Sequence, residues 1–190
     1  MTSSFSVQSY EGKRIRFDSA RSYEEVLASL RELVNTDALQ QAGRLGLQAN
    51  PQNLEKVFGP TPTEESFTDL FRSMLGEQRD FILFYEIDHG AWLPAFGIRR
   101  RATRWIFGNP LIAITMLRHD IRAGLFAPVE LLLFEPDSGN GSTVIYDLPS
   151  SLMVVDDSPE LLSAALVLDA KLQDVVSRAT GVQVEVRQGS

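Results

Sequence analysis

The 190-residue sequence contains no cysteine, which excludes disulfides, thiolate nucleophiles, cysteine-bound zinc and iron–sulfur clusters. It has only two histidines, so a three-histidine metal site cannot form, and a metal would have to rely on carboxylates and carbonyls. We therefore expect no metal and no cofactor. No stretch approaches the roughly 18 unbroken apolar residues of a membrane span. The opening MTSSFSVQSYEGKR has no basic start followed by an apolar run, so no secretory leader is expected either. A cysteine-free chain fits a reducing compartment, and the cytoplasm is the expected location. A basic footprint is missing too: the net charge is −7, which argues against general nucleic-acid binding, since that requires enough lysine and arginine to release condensed counterions.

What is present is a chain that is 44% hydrophobic, long enough to bury a core as a single domain over 1–190. KRIRFDS alternates Ile15 and Phe17 with Arg14, Arg16 and Asp18, the period of a half-buried strand. Phe5 and Val7 are expected to form its hairpin partner, with Gly12 in the turn. The next segment, ARSYEEVLASLRELV, pairs Ser22 with Glu25 at capping-box spacing and repeats Val26, Leu27, Leu30, Leu33 and Val34 at helical intervals. From 37 to 78 the pattern predicts a helical insertion in three pieces, DALQQAGRLG, NPQNLEKVFG and PTPTEESFTDLFRSMLG, cut apart by glycine and proline. DFILFYEIDHG and RRRATRWIFG read as strands, and Asn109 with Pro110 opens a helix through LIAITMLRHD. APVELLLFEP and STVIYDLP read as strands joined by the turn DSGNG. A long helix follows, opened by Asp157 or Ser158 and closed by Gly181, with VQVEVR as a last edge strand. This order predicts an α+β fold: one antiparallel sheet covered on one face by helices, with a helical insertion.

KRIRFDSARSYEEVLASLREL and FGNPLIAITMLRHDIRAGLFAPVELLLFE together resemble the family named domain of unknown function 302. The resemblance rests on Ser22, Tyr23, Glu24 and Glu25 opening a helix, on Gly108, Asn109 and Pro110 before another, and on Gly124, Leu125 and Pro128 ahead of a strand. It covers Lys13 to Leu33 and Arg104 to Gly181. It implies a curved antiparallel sheet of the TATA-box-binding-protein-like class and a homodimer, and it implies no activity.

The concentration of charge lies in FYEIDHGAWLP and RRRATRWIFG. If the two segments form a hairpin whose charged faces coincide, Glu86 and Asp88 stand across from Arg100 and Arg104. Two readings then compete. In one the charges are exposed cross-strand pairs. In the other they line a cleft where Arg100 and Arg104 hold an anionic or aromatic metabolite beside Trp92, while Glu86, Asp88 and His89 exchange protons. The opposite face, with Tyr85, Ile87, Thr103, Trp105 and Phe107, is expected to be the apolar side. His119 is expected to cap the helix LIAITMLR. The expected function is small-molecule binding; the alternatives are a metal-independent acid–base enzyme of isomerase, lyase or decarboxylase type, and an interaction module using Phe67, Phe71 and Met74 of the insertion.

Overall fold

A computed structural model describes residues 3–37, 63–76 and 79–184. Five antiparallel strands form one sheet: β1 (Arg14–Ser19), β2 (Ile82–Asp88), β3 (Ala102–Gly108), β4 (Val129–Phe134) and β5 (Ser142–Asp147), in the spatial order β1-β5-β4-β3-β2. Helix α1 (Tyr23–Leu33) follows β1, α2 (Glu64–Leu75) precedes β2, and α3 (Pro110–Leu117) follows β3. A one-turn helix α4 (Pro149–Met153) and the long α5 (Pro159–Thr180) close the chain. The α+β class read from the sequence is the observed one.

Local chemistry sets the helix starts. The Ser22 hydroxyl accepts from Glu25 N at 3.3 Å and the Glu25 carboxylate returns the bond to Ser22 N at 2.7 Å, which completes the expected capping box. Backbone and hydroxyl of Ser22 hold the Glu25 carboxyl below its ordinary pKa. Asn109 caps α3 through Leu111 N at 2.9 Å, with Pro110 at the first helical position where no amide is needed. Ser158 caps α5, and Gly181 ends it in the left-handed region at φ 74°, where its amide donates to Ser177 O.

Helices α1 and α5 bury the face of the sheet that carries Phe17, Trp105, Leu131, Leu133, Val144 and Tyr146. The α5 stripe Leu161, Ala165, Leu168, Leu172, Val175 and Ala179 is buried throughout, as helical spacing requires of a helix laid on a sheet. A second small cluster joins Met74 and Leu75 of α2 to Ile82, with Phe71, Phe84 and Leu111 against it. Met74 is therefore core, and Phe71 packs beside it, so the apolar stripe of α2 turns inward toward β2.

Several expectations meet a different outcome. Phe5 and Val7 form no strand and are exposed; among the described residues β1 is an edge strand whose only ladder is to β5. The helix after Asn109 ends at Leu117 rather than Asp120, because Asp120 accepts from Arg122 N at 2.8 Å and starts a separate turn at Ile121–Phe126. The His119 amide donates to Met116 O at 2.9 Å just past the end of α3, while its imidazole makes no hydrogen bond among the described residues and Arg118 Nε reaches Ile114 O. Val182–Val184 are not a strand, and the rest of VQVEVR lies outside the described residues, as do DALQQAGRLG and NPQNLEKVFG.

Candidate functional site

Register decides where the charges go. In the β2–β3 ladder Leu83 pairs with Phe107, but the next pair is Tyr85 with Ile106. Phe84 is thus an extra residue, a bulge that reverses the parity of everything after it. Beyond it Glu86 pairs with Trp105 and Asp88 with Thr103, on the helix-covered face, while Tyr85 and Ile87 pair with Ile106 and Arg104 on the open one. The two charged faces of the sequence reading do not coincide. Tyr85, 63% exposed, and Ile87 are not on the apolar side, whereas Thr103, Trp105 and Phe107 are.

Each acid then finds a partner of its own. Glu86 accepts from Arg31 of α1 at 2.8 Å, and Asp88 accepts from Ala91 N in the following turn. Next to Asp88 on the covered face, the Tyr23 hydroxyl is hydrogen-bonded to the Thr103 hydroxyl, and burial pushes the phenol's pKa up. The Arg101 guanidinium lies 4.6 Å above the Tyr23 ring and pairs with Glu24 and Glu135, whose carboxyl it holds below the ordinary range. Arg100 leaves the hairpin altogether: its Nε donates to Glu135 O at 2.9 Å and its guanidinium meets Asp137 and stacks over Phe134. Glu86, Asp88 and Arg100 are occupied in holding elements together.

His89, Trp92 and Arg104 are brought together. The backbone after β2 turns at His89, whose amide donates to Ala102 O at 2.8 Å, and winds through a short turn at Leu93–Phe96. That segment forms one wall of a cavity of about 520 Å³ on the open face of the sheet, with His89, Trp92 and Leu93 above and Ala102, Leu132 and Ile145 on its floor. The floor follows one cross-strand row, in which Ile87 pairs with Arg104, Arg104 with Leu132, Leu132 with Ile145, and Ile145 with Arg16. Trp92, 51% exposed, meets the His89 ring edge-on at 5.8 Å and Phe96 at 6.0 Å. The His89 imidazole makes no hydrogen bond among the described residues.

Apart from Arg104, the cavity's charged rim is made by residues that the sequence reading did not single out for the site. Arg104 Nε bonds Glu130 Oε2 at 2.5 Å, and Arg14 grips Asp147 through Nε at 2.7 Å and Nη2 at 3.0 Å. Glu130 and Asp147 were hidden because LLLF and TVIY are nearly continuous apolar runs, in which the polar end residue does not reveal its face until the register is known. Alternation in RIRFDS was the usable signal, since Arg14 shares a face with Arg16.

Gly108, Asn109 and Pro110 form a cap and a packing site, not an anion cradle. Asn109 spends its carbonyl on Leu111 N and its amide on Asp80 O at 3.0 Å. A Cβ on Gly108 would come within 3.2 Å of the Pro128 ring, so the two motif positions are complementary in shape. No group of three or more metal-ligating side chains occurs among the described residues, and no helix among them is long and apolar enough to cross a membrane.

Comparison with solved structures finds the same architecture in an uncharacterized conserved protein, DUF302, from Bacillus stearothermophilus. The likeness has a TM-score of 0.56 at 15% identity and covers 87% of this chain and 97% of that one. No curated protein matches the sequence. The model of the family described as domain of unknown function DUF302 matches residues 61–179, which takes in α2 and every later strand and helix up to the last turn of α5. With the ordered motifs in place and more than half of its length matched, this chain belongs to the DUF302 family.

Proposed function

We propose that this chain is a small-molecule-binding domain whose site is the open-face cavity, and that its ligand carries an aromatic or other flat ring. One observation carries the reading. A concave space of about 520 Å³ combines an apolar floor with an exposed indole, an imidazole without a polar partner among the described residues and two arginines, and its size falls in the usual range for small-molecule sites. Leu132 and Ile145 offer a flat surface, Trp92 offers a ring edge or face, and His89 and Arg104 supply directional polar groups.

The acid–base reading retains only His89 inside this cavity, because Glu86 and Asp88 lie on the other face. The interaction reading loses Met74 to the core. A homodimer belongs to the same proposal. Its support is the outer edge of β2, where, past the bridge from Asn35 to Ile82, Tyr85 to Asp88 have no outer strand among the described residues. Sedimentation over a concentration series tests it, and a monomer throughout ends that part.

The site is tested by thermal-shift screening of ring-bearing compounds of either charge and of none, on the wild type beside Trp92→Ala and Leu132→Trp. Trp92→Ala removes the wall and Leu132→Trp fills the floor. Ligand shifts that vanish in both variants support the cavity. Shifts that survive in both place the binding elsewhere.

A further inference from the structure

The charge of the ligand follows from the rim, if the cavity is the binding site proposed above. Arg14, Arg104, Glu130 and Asp147 line it together with His89, and the arginines and carboxylates are matched one to one. Glu130 and Asp147 lie two residues beyond the Leu132–Ile145 pair, where the β4–β5 ladder ends, with Arg104 of β3 paired to Glu130 and Arg14 of β1 paired to Asp147.

A simple anion entering this rim would have to take Arg104 from Glu130, leaving that carboxylate unpaired. A simple amine would take Glu130 and leave Arg104 unpaired over an apolar floor. Either exchange gives up an ion pair, at the modest cost that applies to side chains 42% and 52% exposed. A ligand with both charges inserts between the partners and leaves each satisfied. We infer that the cavity takes an aromatic zwitterion of the α-amino-acid type, its ring against Trp92 and the Leu132–Ile145 floor, its carboxylate on Arg104 and its ammonium on Glu130. His89 faces the same space and can bond the carboxylate.

Three probes separate this from its rivals: L-phenylalanine, 2-phenylethylamine and 3-phenylpropanoate, which share a ring and differ in their charges. Binding is followed by titration calorimetry and by the Trp92 indole N–H signal, with Trp105 as the buried reference. L-Phenylalanine is expected to bind at least about tenfold more tightly than either relative, a difference of about 1.4 kcal/mol. In Glu130→Gln the acid should match or overtake the amino acid, and in Arg104→Gln the amine should do so. An amine or acid that binds the wild type as well as L-phenylalanine overturns the zwitterion while leaving the cavity in use. If none of the three perturbs Trp92, the cavity reading fails and this inference fails with it.

Discussion

Asp88 and Arg104 are diagonal neighbours in the β2–β3 ladder yet point to opposite faces of the sheet, because Asp88 pairs with Thr103 and Arg104 with Ile87. No cross-strand ion pair joins them. A double-mutant cycle of Asp88→Asn and Arg104→Gln, read by urea unfolding, should give a coupling energy near zero. The cycle of Glu86→Gln with Arg31→Gln should give about 0.2–1 kcal/mol, the range of exposed pairs. A coupling above that range between Asp88 and Arg104 would contradict the register.

Asp169 of α5 is buried, and its carboxylate accepts from Ser150 N at 2.9 Å at the start of α4. Burial pushes its pKa up, against the opposing effect of the Ser150 bonds. A carboxyl that holds its proton more tightly when folded stabilises fully below its unfolded pKa of about 3.9, and that contribution is lost as pH rises through the folded value. Asp169→Asn keeps the acceptor for Ser150 and removes the buried charge. Thermal unfolding should show the variant more stable than the wild type at pH 7, with the gap closing toward pH 4. A variant less stable at pH 7 would show that the carboxylate's charge is needed by α4.

The Tyr146 hydroxyl is buried with no hydrogen-bond partner among the described residues, although its ring stacks on Phe17 at 6.2 Å. Desolvation, and the nearby Asp169, push the phenol's pKa up. An unsatisfied buried hydroxyl costs about 1–3 kcal/mol, so Tyr146→Phe should leave stability unchanged or raise it. A loss of more than about 1 kcal/mol in denaturant unfolding would point to a bridging water at the hydroxyl.

Gly141 in the β4–β5 turn has φ 74°, and a Cβ there would collide with the Ser19 carbonyl oxygen. Gly141→Ala therefore combines left-handed strain of about 1–3 kcal/mol with a backbone clash between the turn and the end of β1. Its unfolding midpoint should fall well below that of Gly139→Ala, because Gly139 has a similar φ but nothing within 4 Å of the added carbon. Equal losses in the two variants would remove the close approach as the cause.

Local patterns were sufficient for most of the elements. The Ser22–Glu25 box, Asn109 with Pro110, and the α5 stripe ending at Gly181 were all readable, because a cap or a 3.6-residue period is written within a few residues of itself. The class followed from their order, and the family from motifs in that order. The face of each charged residue was not readable. One extra residue at Phe84 sent Glu86 and Asp88 to the helix side, and Arg100 left the hairpin for the Glu135 carbonyl. His89, Trp92 and Arg104 met across a cavity whose other charged members, Arg14, Glu130 and Asp147, come from β1, β4 and β5. Strand side chains alternate with a period of two, so a single bulge inverts a whole segment, and pairing between strands distant in sequence sets which residues become neighbours. The sequence determined which elements form, and the tertiary register alone decided which of their side chains share a site.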